Sequence, residues 1–125
     1  MILDTNALSA WAENEDALLV RLPPEHAIVL PTVVIGEYRY GVQRSTHRDR
    51  LETWLDRAIQ SVRVGDITLA TADSYAAVRL MLHQKGRPIP TNDAWIAALA
   101  LQHRLPVLSR DAHFDVVEGL TRVGW

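Results

Sequence analysis

Short apolar runs alternate along this chain with longer stretches of helical periodicity, and that alternation predicts an α/β protein. Residues 1–4 form an apolar run closed by Asp4, which reads as a strand; Thr5 or Asn6 then caps a short helix to about Ala12. Residues 15–22 have helical character and stop at Pro23-Pro24. Residues 27–30, β-branched at Ile28 and Val29 and closed by Pro31, predict a buried strand. Thr32 caps a helix to about Gln43 with Val33, Val34, Ile35, Tyr38 and Val42 on its apolar stripe. A further helix from about His47 to Val62 buries Leu51, Trp54, Leu55, Ala58 and Ile59.

Beyond Gly65, the spacing of Leu69, Ala72, Ala76 and Leu80 predicts a long helix ending near Gly86, ahead of Pro88 and Pro90. Thr91 or Asn92 caps the next helix, whose Trp95, Ile96, Ala98, Leu99 and Leu101 make it apolar nearly all round and therefore buried. Residues 106–109 predict a strand, residues 110–113 a polar turn, and residues 120–125 a last strand. Buried apolar strands separated by helices imply a mainly parallel sheet between helical layers, in a single domain over residues 1–125. In such sheets functional groups gather beyond the carboxyl ends of the strands. Asp4 and Asp111 fall there.

The chain has 125 residues, 48% apolar and 22% charged, and no cysteine, so any metal must be held by oxygen or imidazole. No apolar run reaches the ~20 residues of a membrane span, and the chain opens on a strand rather than a signal segment. The cytoplasm is the expected location. The net charge of −2 is unevenly spread: −5 over residues 1–38, +3 over residues 39–63 and balanced thereafter. Twelve of the thirteen basic residues are arginine, the side chain whose planar fork suits phosphate.

Four acids stand apart from ordinary solvated faces. Asp4 ends the first strand, Glu37 lies inside the apolar helix at 32–43, Asp93 opens the buried helix, and Asp111 follows the strand at 106–109. Taken singly, each has a capping or pairing role open to it. Taken together, convergence is the better reading. Carboxylates crowded into one place repel unless a cation joins them, and an all-oxygen set suits Mg²⁺ or Mn²⁺. His113 is the only histidine near the group; His26, His47, His83 and His103 are scattered.

The segments Ile2-Leu3-Asp4-Thr5-Asn6, Gly36-Glu37-Tyr38, Asn92-Asp93-Ala94-Trp95 and Leu108-Ser109-Arg110-Asp111-Ala112-His113-Phe114 resemble, in order and spacing, the PIN domain and within it the VapC toxins of bacterial toxin–antitoxin pairs. The resemblance implies a three-layer α/β/α fold and a Mg²⁺- or Mn²⁺-dependent endoribonuclease. It also implies a homodimer and a VapB-like antitoxin partner. By the same resemblance Asp4, Glu37, Asp93 and Asp111 form the catalytic quartet, with Asp4, Asp93 and Asp111 as metal ligands. Asp115, a short turn from Asp111, remains an alternative fourth acid. Thr5 and Asn6, with Asn92, are the polar neighbours that orient the acids. The mechanism implied is attack of water, activated by the metal, on an RNA phosphodiester, with Glu37 or Asp93 positioning or deprotonating that water.

Phosphate contacts are expected from Arg39, Arg44 and Arg110. Arg48, Asp49, Glu52 and Asp56 have helix-neighbour spacings, as from Arg48 to Glu52 and from Glu52 to Asp56, that offer intramolecular pairing instead. Trp54 and Trp95 fall on apolar stripes and are expected in the core or an interface. Two other functions compete: a catalytically silent RNA- or protein-binding module on the same scaffold, whose mark would be a missing acid, and a haloacid-dehalogenase-type phosphohydrolase. The latter needs an aspartate where Asn6 stands and a lysine after a later strand, whereas Lys85, the sole lysine, falls at a helix end.

Overall fold

A computed structural model describes all 125 residues. Its elements are β1 (Ile2–Leu3), α1 (Thr5–Ala12), α2 (Asp16–Leu19), β2 (Val29–Pro31), α3 (Thr32–Gln43), α4 (Arg48–Ser61), β3 (Arg63–Gly65), α5 (Leu69–Gln84), α6 (Thr91–His103), β4 (Val107–Leu108) and β5 (Arg122–Val123), with 3₁₀ turns at Glu25–Ala27 and Ala112–Val116. The strands form one sheet in the order β3-β2-β1-β4-β5, and every pairing is parallel. Helices cover it in the expected three-layer α/β/α arrangement.

The interior strands are apolar because helices cover both faces of the parallel sheet. Ile2, Leu3, Val29, Leu30, Val107 and Leu108 are buried, and they meet the apolar sides of the helices through Leu8, Val34, Leu55, Val78, Ile96 and Leu99. α6 buries Ala94 and the whole run from Ile96 to Ala100, as its near-continuous apolar sequence requires. Trp54 packs edge-on against Trp11 at 5.2 Å, and Trp95 stacks on Tyr75 at 3.8 Å, so both tryptophans pack against neighbouring rings as expected.

The helix starts differ from the sequence reading by one residue. Asp4, rather than Thr5 or Asn6, caps α1, its carboxylate accepting from the Thr5 N–H; Pro31 and Pro90 precede α3 and α6, so Thr32 and Thr91 are first helical residues rather than caps and Asn92 lies inside the first turn. β3 is an additional strand. Arg63-Val64-Gly65 lies at the sheet edge with Arg63 exposed, so it lacks the apolar run that marks an interior strand.

Strand order places the site. From β1 the chain winds outward to β2 and β3, then crosses through α5 and α6 to β4 on the other side of β1. β1 and β4 are therefore the point where the winding reverses, and in open sheets of this kind functional groups gather beyond the carboxyl ends of the strands at such a point. Leu3 pairs with Leu108, so the next residues of the two strands, Asp4 and Ser109, emerge side by side.

Candidate active site and metal centre

Asp4 is the hub. It is 5% exposed, and both carboxylate oxygens are held by neutral donors: Oδ1 accepts from the Thr5 N–H at 2.7 Å, which leaves it capacity for a further partner, while Oδ2 accepts from the Ser109 hydroxyl at 2.7 Å and the Asn6 amide at 3.0 Å. Asn6 also donates to Ser109 Oγ at 3.3 Å, and its carbonyl oxygen accepts the Arg110 N–H at 3.3 Å. The start of α1 is thereby fastened to the loop after β4. Thr5 donates its hydroxyl to Glu37 Oε2 at 3.2 Å, linking α3 to the same cluster. The other Glu37 oxygen, Oε1, is buried with no hydrogen-bond partner.

In the loop after β4, the Asp111 N–H donates to Ser109 Oγ at 2.9 Å, and Asp111 Oδ1 caps the following turn by accepting the His113 N–H at 2.9 Å. The His113 ring then faces two acids at once, with Nδ1 2.9 Å from Asp93 Oδ2 and 3.0 Å from Asp111 Oδ2. Asp93, Asp111 and His113 each offer a ligand atom within 4.8 Å of the others.

Electrostatics separate these acids from surface carboxylates. Burial pushes the Asp4 carboxyl above its ordinary value; hydrogen bonds from Ser109, Thr5 and Asn6 pull it back, and the charge of Asp111 adds to the rise. Asp93 is likewise raised, first by burial and then by Asp4 and Asp111, against the opposing pull of His113. His113 is raised chiefly by its hydrogen bond to Asp93. These groups repel one another through a site walled by protein, and no arginine or lysine side chain bonds to Asp4, Glu37, Asp93 or Asp111. An unpartnered buried oxygen on Glu37, two acids held above their ordinary values and an oxygen-rich donor set together fit a divalent cation.

Other expected residues lie elsewhere. Asp115 is exposed and bound through both oxygens by Arg122, at 2.7 and 2.9 Å, which holds its carboxyl below the usual range. Asn92 is exposed on the first turn of α6 and takes no part in the bonds described. Arg39 pairs with Asp56 at 3.1 Å, Arg44 lies over the Tyr40 ring at 5.5 Å, and Arg48 bonds Glu52 at 3.3 Å. Arg110 bonds Glu15 and lies 4.6 Å over Trp125, whose indole N–H also donates to Glu15 at 3.0 Å. Ser109 carries no expected role from sequence, yet it joins Asp4, Asn6 and Asp111. Its signal was position: a polar residue directly after an apolar strand, one step beyond the register partner of Leu3.

The PIN domain family profile matches residues 1–120. Ribonuclease VapC5 of Mycobacterium tuberculosis is 32% identical over 127 aligned residues, covering 98% of this chain and 90% of that protein. Among solved structures, VapBC2 from Rickettsia felis bound to a DNA fragment from its promoter superposes with a TM-score of 0.88 at 24% identity, covering 99% of this chain and 97% of the other. VapBC-5 from M. tuberculosis, a member of the VapBC family of toxin–antitoxin systems, gives a TM-score of 0.74 at 26% identity over 98% and 94% of the two chains. A match across nearly the whole chain, on a fold whose winding reversal brings Asp4, Asp93 and Asp111 from three separate segments within reach of one another's charge, leaves one assignment: the chain belongs to the PIN domain family, in its VapC branch.

Proposed function

We propose that this chain is an endoribonuclease, the toxin of a VapBC-type toxin–antitoxin pair, that hydrolyses RNA phosphodiester bonds with a divalent cation, Mg²⁺ or Mn²⁺, at the Asp4–Glu37–Asp93–Asp111 cluster. The observation that carries the reading is the uncompensated cluster itself, with a buried Glu37 oxygen lacking any partner, in a chain 32% identical to a ribonuclease along its length. A binding module would gain nothing from burying Asp4 against its own electrostatics.

Asp4, Asp93 and Asp111 would hold the cation, which when bound supplies Lewis-acid stabilisation of charge on the phosphoryl group and acidifies water. Thr5, Asn6 and Ser109 fix the Asp4 carboxylate, so its geometry is set before substrate arrives. Glu37, tethered by Thr5 through one oxygen, has the other free to accept a proton from the attacking water. That water forms the new oxygen–phosphorus bond as the bond to the ribose oxygen on the opposite side breaks, the leaving oxygen takes a proton from solvent, and Glu37 returns the proton it received to solvent, so the step balances. Of the candidate phosphate contacts, Arg44 makes no ion pair, whereas Arg39 and Arg110 would have to leave Asp56 and Glu15. With one or two divalent ions bound, the net charge of −2 becomes about 0 or +2, so RNA binding should depend on the metal. By analogy with VapBC-5, a VapB-like antitoxin is the protein partner.

The test is regulated expression of the intact chain and of Asp4→Ala, with cellular RNA mapped for new 5′ ends. New ends from the intact chain alone are the expected result; indistinguishable maps would overturn the assignment.

A further inference from the structure

The acidic quartet accounts for oxygen ligands only, yet a nitrogen donor stands among them. His113 Nδ1 lies 2.9 Å from Asp93 Oδ2 and 3.0 Å from Asp111 Oδ2. Donor atoms on adjacent corners of an octahedron with bonds of about 2.1 Å sit about 3.0 Å apart. The spacing of the imidazole nitrogen from each carboxylate is thus that of neighbouring ligands on one ion. The third pair falls inside the same 4.8 Å limit.

The ring is aimed by the chain. The Asp111 carboxylate accepts the His113 N–H, and the 3₁₀ turn at Ala112–Val116 that this bond opens is anchored by Phe114, fully buried in the core. His113 is half-exposed, at 48% of its side-chain surface, and it can shift slightly without cost to the core. Nδ1 points into the cluster while the rest of the ring meets solvent.

We propose that His113 is an additional ligand, so that Asp93, Asp111 and His113 form a mixed nitrogen–oxygen metal site that favours a first-row transition ion over Mg²⁺. Mg²⁺ prefers carboxylate and water oxygens, whereas imidazole adds affinity for transition ions. This inference rests on the metal site of the preceding reading, and not on RNA as the substrate.

The test uses the full chain loaded with Mn²⁺. Electron spin-echo spectroscopy of the wild type should show coupling to a directly bound ¹⁴N nucleus, and His113→Ala should abolish it. In calorimetric titration the variant should lose about tenfold or more in Mn²⁺ affinity and less than about twofold in Mg²⁺ affinity, in line with ligand-sphere substitutions elsewhere. A wild type without nitrogen coupling overturns the proposal, and that measurement needs no variant to fold. Coupling that survives in a folded His113→Ala chain overturns it as well. Nitrogen coupling in a wild type that cleaves no RNA would overturn the ribonuclease reading alone, whereas cleavage without coupling would overturn this inference alone.

Discussion

Asp4 and Asp115 are the same side chain in opposite circumstances. Asp115 lies on the surface, gripped by Arg122 through two hydrogen bonds, and is held below the usual carboxylate range. Asp4 is buried, surrounded by neutral donors and other acids, and is pushed above it. Where a carboxylate only fastens the chain, as Asp115 fastens the final strand, the fold supplies a cation. Where the carboxylates gather at the carboxyl ends of β1 and β4, the fold supplies hydroxyls, amides and a histidine, but no permanent positive charge. The second arrangement costs stability, and it makes sense only if a mobile cation completes it.

The largest effect should come from removing a member of the uncompensated group. Asp4→Ala or Asp93→Ala should reduce metal-dependent RNA cleavage by about a thousandfold or more, since stabilisation of about 4 kcal/mol is a modest share of what a bound metal contributes. Both variants should still fold, as circular dichroism would report. Cleavage at wild-type rate in either would erase the distinction between the two kinds of acid.

Stability against pH sharpens it next. Asp4 and Asp93 are raised above 3.8 and His113 above 6.5, so in all three the folded chain holds more protons than the unfolded one. For the acids, stability is lost as pH climbs from 3.8 to their raised values; for His113 it is present below 6.5 and lost as pH rises through its raised value. The metal-free chain should therefore melt lower at about pH 8 than at about pH 5. A divalent cation at a hundred times its dissociation constant should return about 2.7 kcal/mol, and at one fixed cation concentration the gain should be larger at the higher pH, where the acids are deprotonated. Differential scanning calorimetry decides it: a metal-free melting point that climbs over this interval would contradict the account. Asp115, shifted the other way, loses its contribution only as pH falls through its lowered value, and its exposure keeps that contribution small.

Two supporting residues give a finer contrast. Ser109→Ala removes the hydroxyl that bonds Asp4 and accepts from Asp111, and should weaken metal affinity by about tenfold, measured by titration. Arg122→Ala breaks the Asp115 pair and the bond to the Ser109 carbonyl, and should cost about 1 kcal/mol in denaturant melts while leaving metal affinity within about twofold. If the two variants behaved alike, the cluster and the clasp would not be separate devices.

Much of this was legible in the residues. The periodicity located the helices because burial of one face leaves a 3.6-residue trace, and the interior strands stood out as short apolar runs. Asp4, Glu37, Asp93 and Asp111 were recognisable as acids in settings that ordinary surface chemistry does not favour. β3 was not legible, because an edge strand with an exposed arginine need not be apolar. Arg110 adjoins the acidic motif in sequence, but a side chain's direction is set by its neighbours, and Glu15 and Trp125 draw its guanidinium to themselves.

By itself the sequence determined which residues carry charge, which must be buried, and that strands alternate with helices, because these follow from local composition and hydrophobic period. Only the tertiary structure decided that Asp4 and Ser109 would emerge together, that Asp111 rather than Asp115 would join Asp93, and that His113 would face both. Those relations depend on strand order and register, which bring together residues 20 to 105 positions apart in the chain, and no local pattern encodes a distance of that kind.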